Sequence, residues 1–149
     1  MTLYPLSKLP LMKSVMTPFP YTIEPTSSLS QAKQMMAEHG IHHLPVAQDG
    51  KLLGMLSDRD LRWALDPVFD LGEEEKVKVE VVYRRNLFTC DINARLDDVL
   101  LEMAEQHFGS AMITKHGKLV GIFTVTDACR LFGEYLSKRF AGATADEVA

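Results

Sequence analysis

Two stretches of the chain carry the same polar chemistry at the same spacing. One is Gly54-Met55-Leu56-Ser57-Asp58-Arg59-Asp60; the other is Gly121-Ile122-Phe123-Thr124-Val125-Thr126-Asp127. Each reads as a glycine, two apolar residues, a hydroxyl, two spacers and an aspartate. A hydroxyl where a strand passes into a helix can cap that helix, and beside the helix N-terminus it can help hold an anion such as phosphate. A carboxylate in the first helical turn accepts hydrogen bonds from two neighbouring hydroxyls, which suits a ribose diol, and an acidic residue has that task in dinucleotide sites. The same spacing is also a plain capping box that stabilises a helix start and binds nothing. One copy alone favours the cap. Two copies in register, each behind a hairpin, favour a binding site.

Other chemistry-bearing residues point less far. His39, His42 and His43 straddle Gly40 at a spacing that fits no structural zinc pattern, and no cysteine is near, so no metal site is expected. Arg59, Arg62, Arg84 and Arg85 either meet a phosphate or stand solvated, as most arginines do. Met35, Met36 and Met103 are spaced as core residues. Trp63 is expected at a helix or dimer seam. No Ser-His-Asp order, carboxylate pair or phosphate loop suggests catalysis, so the expectation is a binding protein, not an enzyme, with no required cofactor.

The elements that position these residues follow from an internal repeat at an offset of 67 residues. Val15–Asp60 and Val82–Asp127 share 11 identities over 46 aligned positions, where unrelated segments would share roughly 3. Gly50-Lys51-Leu52-Leu53-Gly54 falls on Gly117-Lys118-Leu119-Val120-Gly121, and Met36-Ala37-Glu38 falls on Met103-Ala104-Glu105. In the first copy Thr22-Ile23 is extended. Ser28 with Gln31 opens a helix that Gly40 closes. Leu44 to Ala47 and Leu52 to Leu56 are strands joined by the hairpin turn Asp49-Gly50. Asp58 to Leu65 is a short helix that Pro67 ends. In the second copy Thr89-Cys90 is extended, Asn93 caps a helix from Ala94 to about Gln106, and strands flank His116-Gly117. A last helix runs from Asp127 to Lys138.

These expectations divide the chain into a first motif over 12–66, a solvated linker over 67–80, a second motif over 81–138 and a fraying tail over 139–149. One βαββα unit is too small to hide its apolar face, so two are expected to share a core with pseudo-twofold symmetry and two clefts at the seam. The fold class is α/β in the broad sense, more strictly α+β.

Bulk properties narrow the function further. The 149 residues are 46% hydrophobic and 24% charged, which is ordinary for a globular protein. A net charge of −4 argues against nucleic acid as a partner. Cys90 and Cys129 lie in apolar runs and are expected to be buried free thiols, which suits a reducing cytoplasm. Met1 to Leu11 shows no signal-peptide pattern and no segment is long enough to cross a bilayer, so a cytoplasmic protein without a membrane partner is expected.

Val15-Met16-Thr17-Pro18, Thr22-Ile23, His43-Leu44-Pro45-Val46 and Gly50 to Leu61 resemble a CBS motif, the family named after cystathionine β-synthase. Val82 to Ala128 resembles a second, more diverged copy. The resemblance implies a disc-like tandem pair, or Bateman module, that often dimerises and binds AMP, ADP, ATP or S-adenosylmethionine as a regulatory ligand. It implies that Asp60 and Asp127 hold ribose, with Ser57 and Thr124 near ribose or phosphate. Thr22 and Thr89 match the first strand at the cleft. Ile41, His42, His43 and Pro45 match the segment that lines the base, as do Phe108, Gly109, Ser110 and Met112 in the second copy. Arg59 lies between the hydroxyl and the aspartate, and Arg84 and Arg85 could offer charge to a phosphate. The second copy departs from the pattern at Tyr83-Arg84-Arg85 and Ala111-Met112-Ile113, so the clefts are expected to differ. A homodimer or an effector protein would carry the signal. The rival expectation is a ligand-free oligomerisation or interaction module.

Overall fold

Local chemistry accounts for most element boundaries. Ser28 accepts the Gln31 N–H at 3.1 Å, while the Gln31 side chain accepts the Ser28 N–H at 2.8 Å. That reciprocal pair opens the first long helix, and Gly40 closes it in the left-handed region at φ 60°. Asp49-Gly50 and His116-Gly117 take φ of 51° and 75°, and 50° and 75°, the paired left-handed residues of a type I′ hairpin turn. A computed structural model of the chain describes residues 8–142.

In chain order the elements are α1 (Met12–Val15), β1 (Thr17–Pro18), α2 (Leu29–His39), β2 (His43–Gln48), β3 (Lys51–Ser57) and α3 (Asp58–Ala64). Short 3-10 turns follow at Pro67–Phe69 and Val79–Val81. Then come β4 (Thr89–Asp91), α4 (Leu96–Gln106), β5 (Ser110–Lys115), β6 (Lys118–Thr124) and α5 (Val125–Arg139). One sheet has the order β1-β6-β5-β4 and the other pairs β2 with β3. β4 runs parallel to β5, and both hairpins are antiparallel. Thr22-Ile23 makes only a single parallel bridge, from Ile23 to Val46. The mixed architecture and its internal repeat match the expected class.

The two copies are not side-by-side units: each lends its leading segment to the other. Met12 N–H and Lys13 N–H donate to the carbonyls of Ala94 and Ile92, and Leu96 N–H donates to Pro10. At the offset of 67 the same bonds recur: Val79 N–H to Ser27, Glu80 N–H to Pro25, Leu29 N–H to Val77. β1 lies beside β6, with Thr17 opposite Ile122, and Arg84 bridges Met55 in the same manner. Consequently Val77 and Val79 complete the first core, around Leu29, Leu44, Val46 and Leu56. Met12 and Val15 complete the second, around Val99, Ile113 and Phe123. Met55, Met112 and Ile122 form a third cluster where the copies meet.

Several expectations change. The alternation Lys76-Val77-Lys78-Val79 is not a solvated linker; its valines are buried, because they fill the place that Pro10 and Met12 fill in the other copy. α4 starts at Leu96, not Ala94. Arg95 stands at the capping position without a side-chain cap, and Asn93 Oδ1 instead accepts from Lys13 Nζ at 3.1 Å. Cys129 is exposed and Cys90 only half-buried. Burial still pushes the Cys90 thiol up to about 11, with the Asp91 carboxylate adding to the shift. Trp63 is more than half exposed, with its ring 4.3 Å from that of Phe69. The tail beyond 142 lies outside the described residues.

His107 takes the place of Gly40 and keeps its left-handed backbone, at φ 58°. A side chain strains that conformation and glycine does not. His107→Gly is therefore expected to stabilise the fold by about 1 kcal/mol, read from the midpoint of chemical denaturation. An unchanged or lower midpoint would mean the imidazole makes compensating contacts.

Candidate functional site

A cavity of about 550 Å³ opens between the copies, within the size range of small-ligand sites. From the first copy it is lined by His43, Met55, Ser57, Asp58, Arg59 and Asp60; from the second by Phe108, Gly109, Ser110, Met112, Val125 and Thr126. The leading segment of the second copy adds Arg84, Asn86, Leu87 and Phe88, and the end of α4 adds Gln106 and His107. Met55 and Met112 belong to the apolar cluster at the seam. Phe88 and Phe108 stack with ring centroids 5.4 Å apart, offering a flat apolar wall.

Ser57 and Asp60 sit where β3 hands over to α3. Asp60 is 6% exposed, the one buried polar or charged residue among the described residues. Its Oδ2 accepts from Ser57 N–H at 2.9 Å and from Ser57 Oγ at 2.7 Å, and Ser57 Oγ accepts the Asp60 N–H at 3.2 Å. The capping box is therefore real. Oδ1 accepts from Arg84 Nε at 2.6 Å, so an ion pair ties the first copy to the segment that leads into the second. Beside it, burial resists ionisation of Asp58, but the guanidinium of Arg62 and the imidazole of His42 outweigh that and hold the carboxyl below its usual range. Arg62 Nη2 donates to Asp58 Oδ2 at 2.8 Å. Burial also lowers the His43 pKa, with Asp58 opposing the shift in part. His43 thus presents a neutral ring to the cleft near pH 7, one nitrogen donating and the other accepting.

Of the residues singled out from sequence, this cavity collects His43, Ser57, Arg59, Asp60, Arg84, Phe108, Gly109, Ser110 and Met112. It does not take in Thr22, Ile41, His42, Pro45, Thr89 or Arg85. Pro45 is buried in β2, Thr89 lies in β4 opposite Met112, and Arg85 lies over the Tyr83 ring, 4.8 Å from its centroid. Thr124 and Asp127 repeat the local geometry of Ser57 and Asp60 outside this cavity. Asp127 Oδ2 accepts from Thr124 N–H at 2.9 Å and Thr124 Oγ1 at 3.0 Å. Its Oδ1 accepts from Arg130 Nη2 at 3.1 Å, an arginine on its own helix.

The repeat makes the asymmetry concrete. Arg84 corresponds to Thr17 and Phe88 to Tyr21, and Tyr21 stacks on His39 at 3.7 Å. Sequence reasoning missed Met55, Asp58, Asn86, Leu87, Phe88, Gln106, His107, Val125 and Thr126. One signal was available for Phe88: an aromatic precedes the threonine in both copies, at Tyr21-Thr22 and Phe88-Thr89. Among the described residues no cluster of three metal-binding side chains occurs, and no helix is long and apolar enough to cross a membrane.

Comparison with known proteins agrees with this architecture. The family model described as CBS domain matches twice, over residues 12–67 and 77–134. The chain is 30% identical over 116 residues to the CBS domain-containing protein YhcV of Bacillus subtilis, covering 78% of this chain and 81% of that protein. It is 29% identical over 129 residues to L-aspartate semialdehyde sulfurtransferase of Methanocaldococcus jannaschii, a stretch that is 85% of this chain but 24% of the enzyme. The chain thus spans about a quarter of that relative's length. A solved CBS domain pair in complex with 5′-methylthioadenosine and S-adenosyl-L-methionine superposes with a TM-score of 0.75 at 26% identity, over 85% of this chain and 98% of that one. Two matched copies, sharing crossed leading segments and a cleft at their seam, make this chain a tandem member of the CBS-domain family.

Proposed function

We propose that the chain is a regulatory module that takes an adenosine-containing ligand into the cleft between its two copies, and that it is a sensor rather than a catalyst. The observation that carries this reading is the composition of the cavity. Its lining combines a buried carboxylate and a neighbouring hydroxyl, two stacked phenylalanines, and the cationic Arg59 and Arg84. Asp60 suits the ribose diol, Phe88 and Phe108 suit the flat base, and the arginines suit a phosphate. Likeness to a pair solved with 5′-methylthioadenosine and S-adenosyl-L-methionine supports the adenosyl class.

Asp60 belongs to one copy and Phe108 to Ser110 to the other, so an occupant touches both halves. A ligand shifts their packing only as far as it prefers one arrangement over the other. The readout is a second copy of the chain or an effector protein. The exposed Phe132, Tyr135 and Leu136 of α5 offer the surface for it. The second pair, Thr124 and Asp127, offers a further, non-equivalent subsite with Ile41 and His42.

Calorimetric titration with AMP, ADP, ATP and S-adenosylmethionine tests the proposal. At least one is expected to bind below millimolar, and Asp60→Ala is expected to weaken it by about tenfold or more. The complete capping box favours a second reading, in which Ser57 and Asp60 serve only the helix. In that case no nucleotide binds, and Ser57→Ala costs about 1 kcal/mol of stability and nothing else.

A further inference from the structure

We infer that Arg84 makes the Asp60 cleft selective for adenosine nucleotides carrying a 5′-phosphate, by occupying the Asp60 carboxylate until the phosphate draws it away. This rests on the adenosyl-binding reading and names the ligand class within it.

A carboxylate offers about four lone-pair sites. Both sites on Oδ2 of Asp60 are taken by Ser57, through its N–H and its Oγ. Oδ1 accepts Arg84 Nε at 2.6 Å, which leaves one site. A ribose diol donates two hydrogen bonds, so both hydroxyls can reach Asp60 only when Arg84 lets go. The Arg84 backbone cannot follow, because its N–H and carbonyl are both bonded to Met55, at 2.8 and 2.9 Å. Its side chain can turn, being 67% exposed.

A released guanidinium turns to water, and only another anion gives it a new ion pair. Among the described residues the acids lining the cavity are Asp58 and Asp60, and Asp58 is already held by Arg62 and His42. Arg59 lines the same cavity and makes no ion pair among the described residues, so it adds positive charge. Uncharged adenosine gives Arg84 no new partner, and a sulfonium repels it. A phosphate on the 5′ carbon offers charge-assisted hydrogen bonds in place of the lost one. The exchange belongs to this cleft alone. Thr17 stands where Arg84 would be in the other copy, and Asp127 is held by Arg130 of its own helix.

The test compares AMP with adenosine by calorimetry on the full chain, in an Asp127→Asn background that leaves the Asp60 cleft as the site read. AMP is expected to bind more tightly than adenosine. Arg84→Gln is expected to lower the AMP-to-adenosine affinity ratio by about tenfold, with adenosine binding no more weakly than before. Arg84→Lys keeps the charge and is expected to retain most of the preference. A ratio unchanged in Arg84→Gln overturns the inference and leaves the adenosyl reading standing. Failure of both compounds to bind the Asp127→Asn protein and the unsubstituted chain overturns both.

Discussion

Met12→Ala is expected to loosen the second copy of the repeat and leave the first intact, at a cost of about 3 kcal/mol. Met12 is fully buried, and the residues it packs among are those of the second core, including Val99, Ile113 and Phe123. Truncating it opens a cavity beneath α4 and the β5–β6 hairpin, more than eighty residues away in sequence. The backbone of its segment donates to Ala94 and Ile92, so local opening exposes those bonds as well. The mirror experiment is Val79→Ala. Val79 is also fully buried, but in the first core, and the loss of two methyl groups should cost about 2 kcal/mol. Native-state hydrogen exchange separates the cases. Met12→Ala should lose protection in α4, β5 and β6; Val79→Ala should lose it in α2, β2 and β3. If each variant instead loosens the copy nearest to it in sequence, the crossing of leading segments is wrong.

Much of this arrangement was legible in the residues, and the reasons differ from element to element. Asp49-Gly50 and His116-Gly117 announced their hairpins because a two-residue turn demands left-handed backbone at both positions. Ser28 and Gln31 announced α2 because their side chains close a local circuit. The offset of 67 residues announced that whatever one copy does, the other can approximate. The crossing was not legible. Two near-equivalent copies present nearly the same apolar positions, so a leading segment could close its own core or its partner's with similar burial, and no local pattern decides between them. Hidden with the crossing was the Asp60–Arg84 pair, which exists only because the second copy's lead lies on β3. Cys129 misled for a different reason. It lies in an apolar run, but α5 has one buried residue, Leu131, and turns Cys129 and Phe132 outward. Asn93 misled because its side chain is taken by Lys13, a residue brought to it by the same crossing.

Gly54→Ala is expected to damage the protein far more than Gly121→Ala, although the two glycines hold equivalent places in the repeat. Each lies where the other copy's lead passes closest to the last strand of a hairpin. A methyl group on Gly54 would overlap the Tyr83 ring and the Arg84 carbonyl oxygen. That carbonyl is bonded to Met55 N–H and cannot retreat without breaking the bridge between β3 and the lead. On Gly121 the three nearest atoms that the added methyl meets all belong to the side chain of Met16, which has three rotatable bonds and can repack. Overpacking against fixed backbone should cost about 3 kcal/mol, and against a flexible thioether about 1 kcal/mol. Stability against denaturant reads that difference directly, and equal losses would refute the close approach of backbone at Gly54. The consequence reaches the cleft, because Arg84 aims its guanidinium at Asp60 from that backbone. Displacing it should abolish the ion pair and weaken nucleotide binding at Asp60 in Gly54→Ala, while Gly121→Ala binds as before. A glycine with no polar atom of its own in the site would thereby set the site's charge.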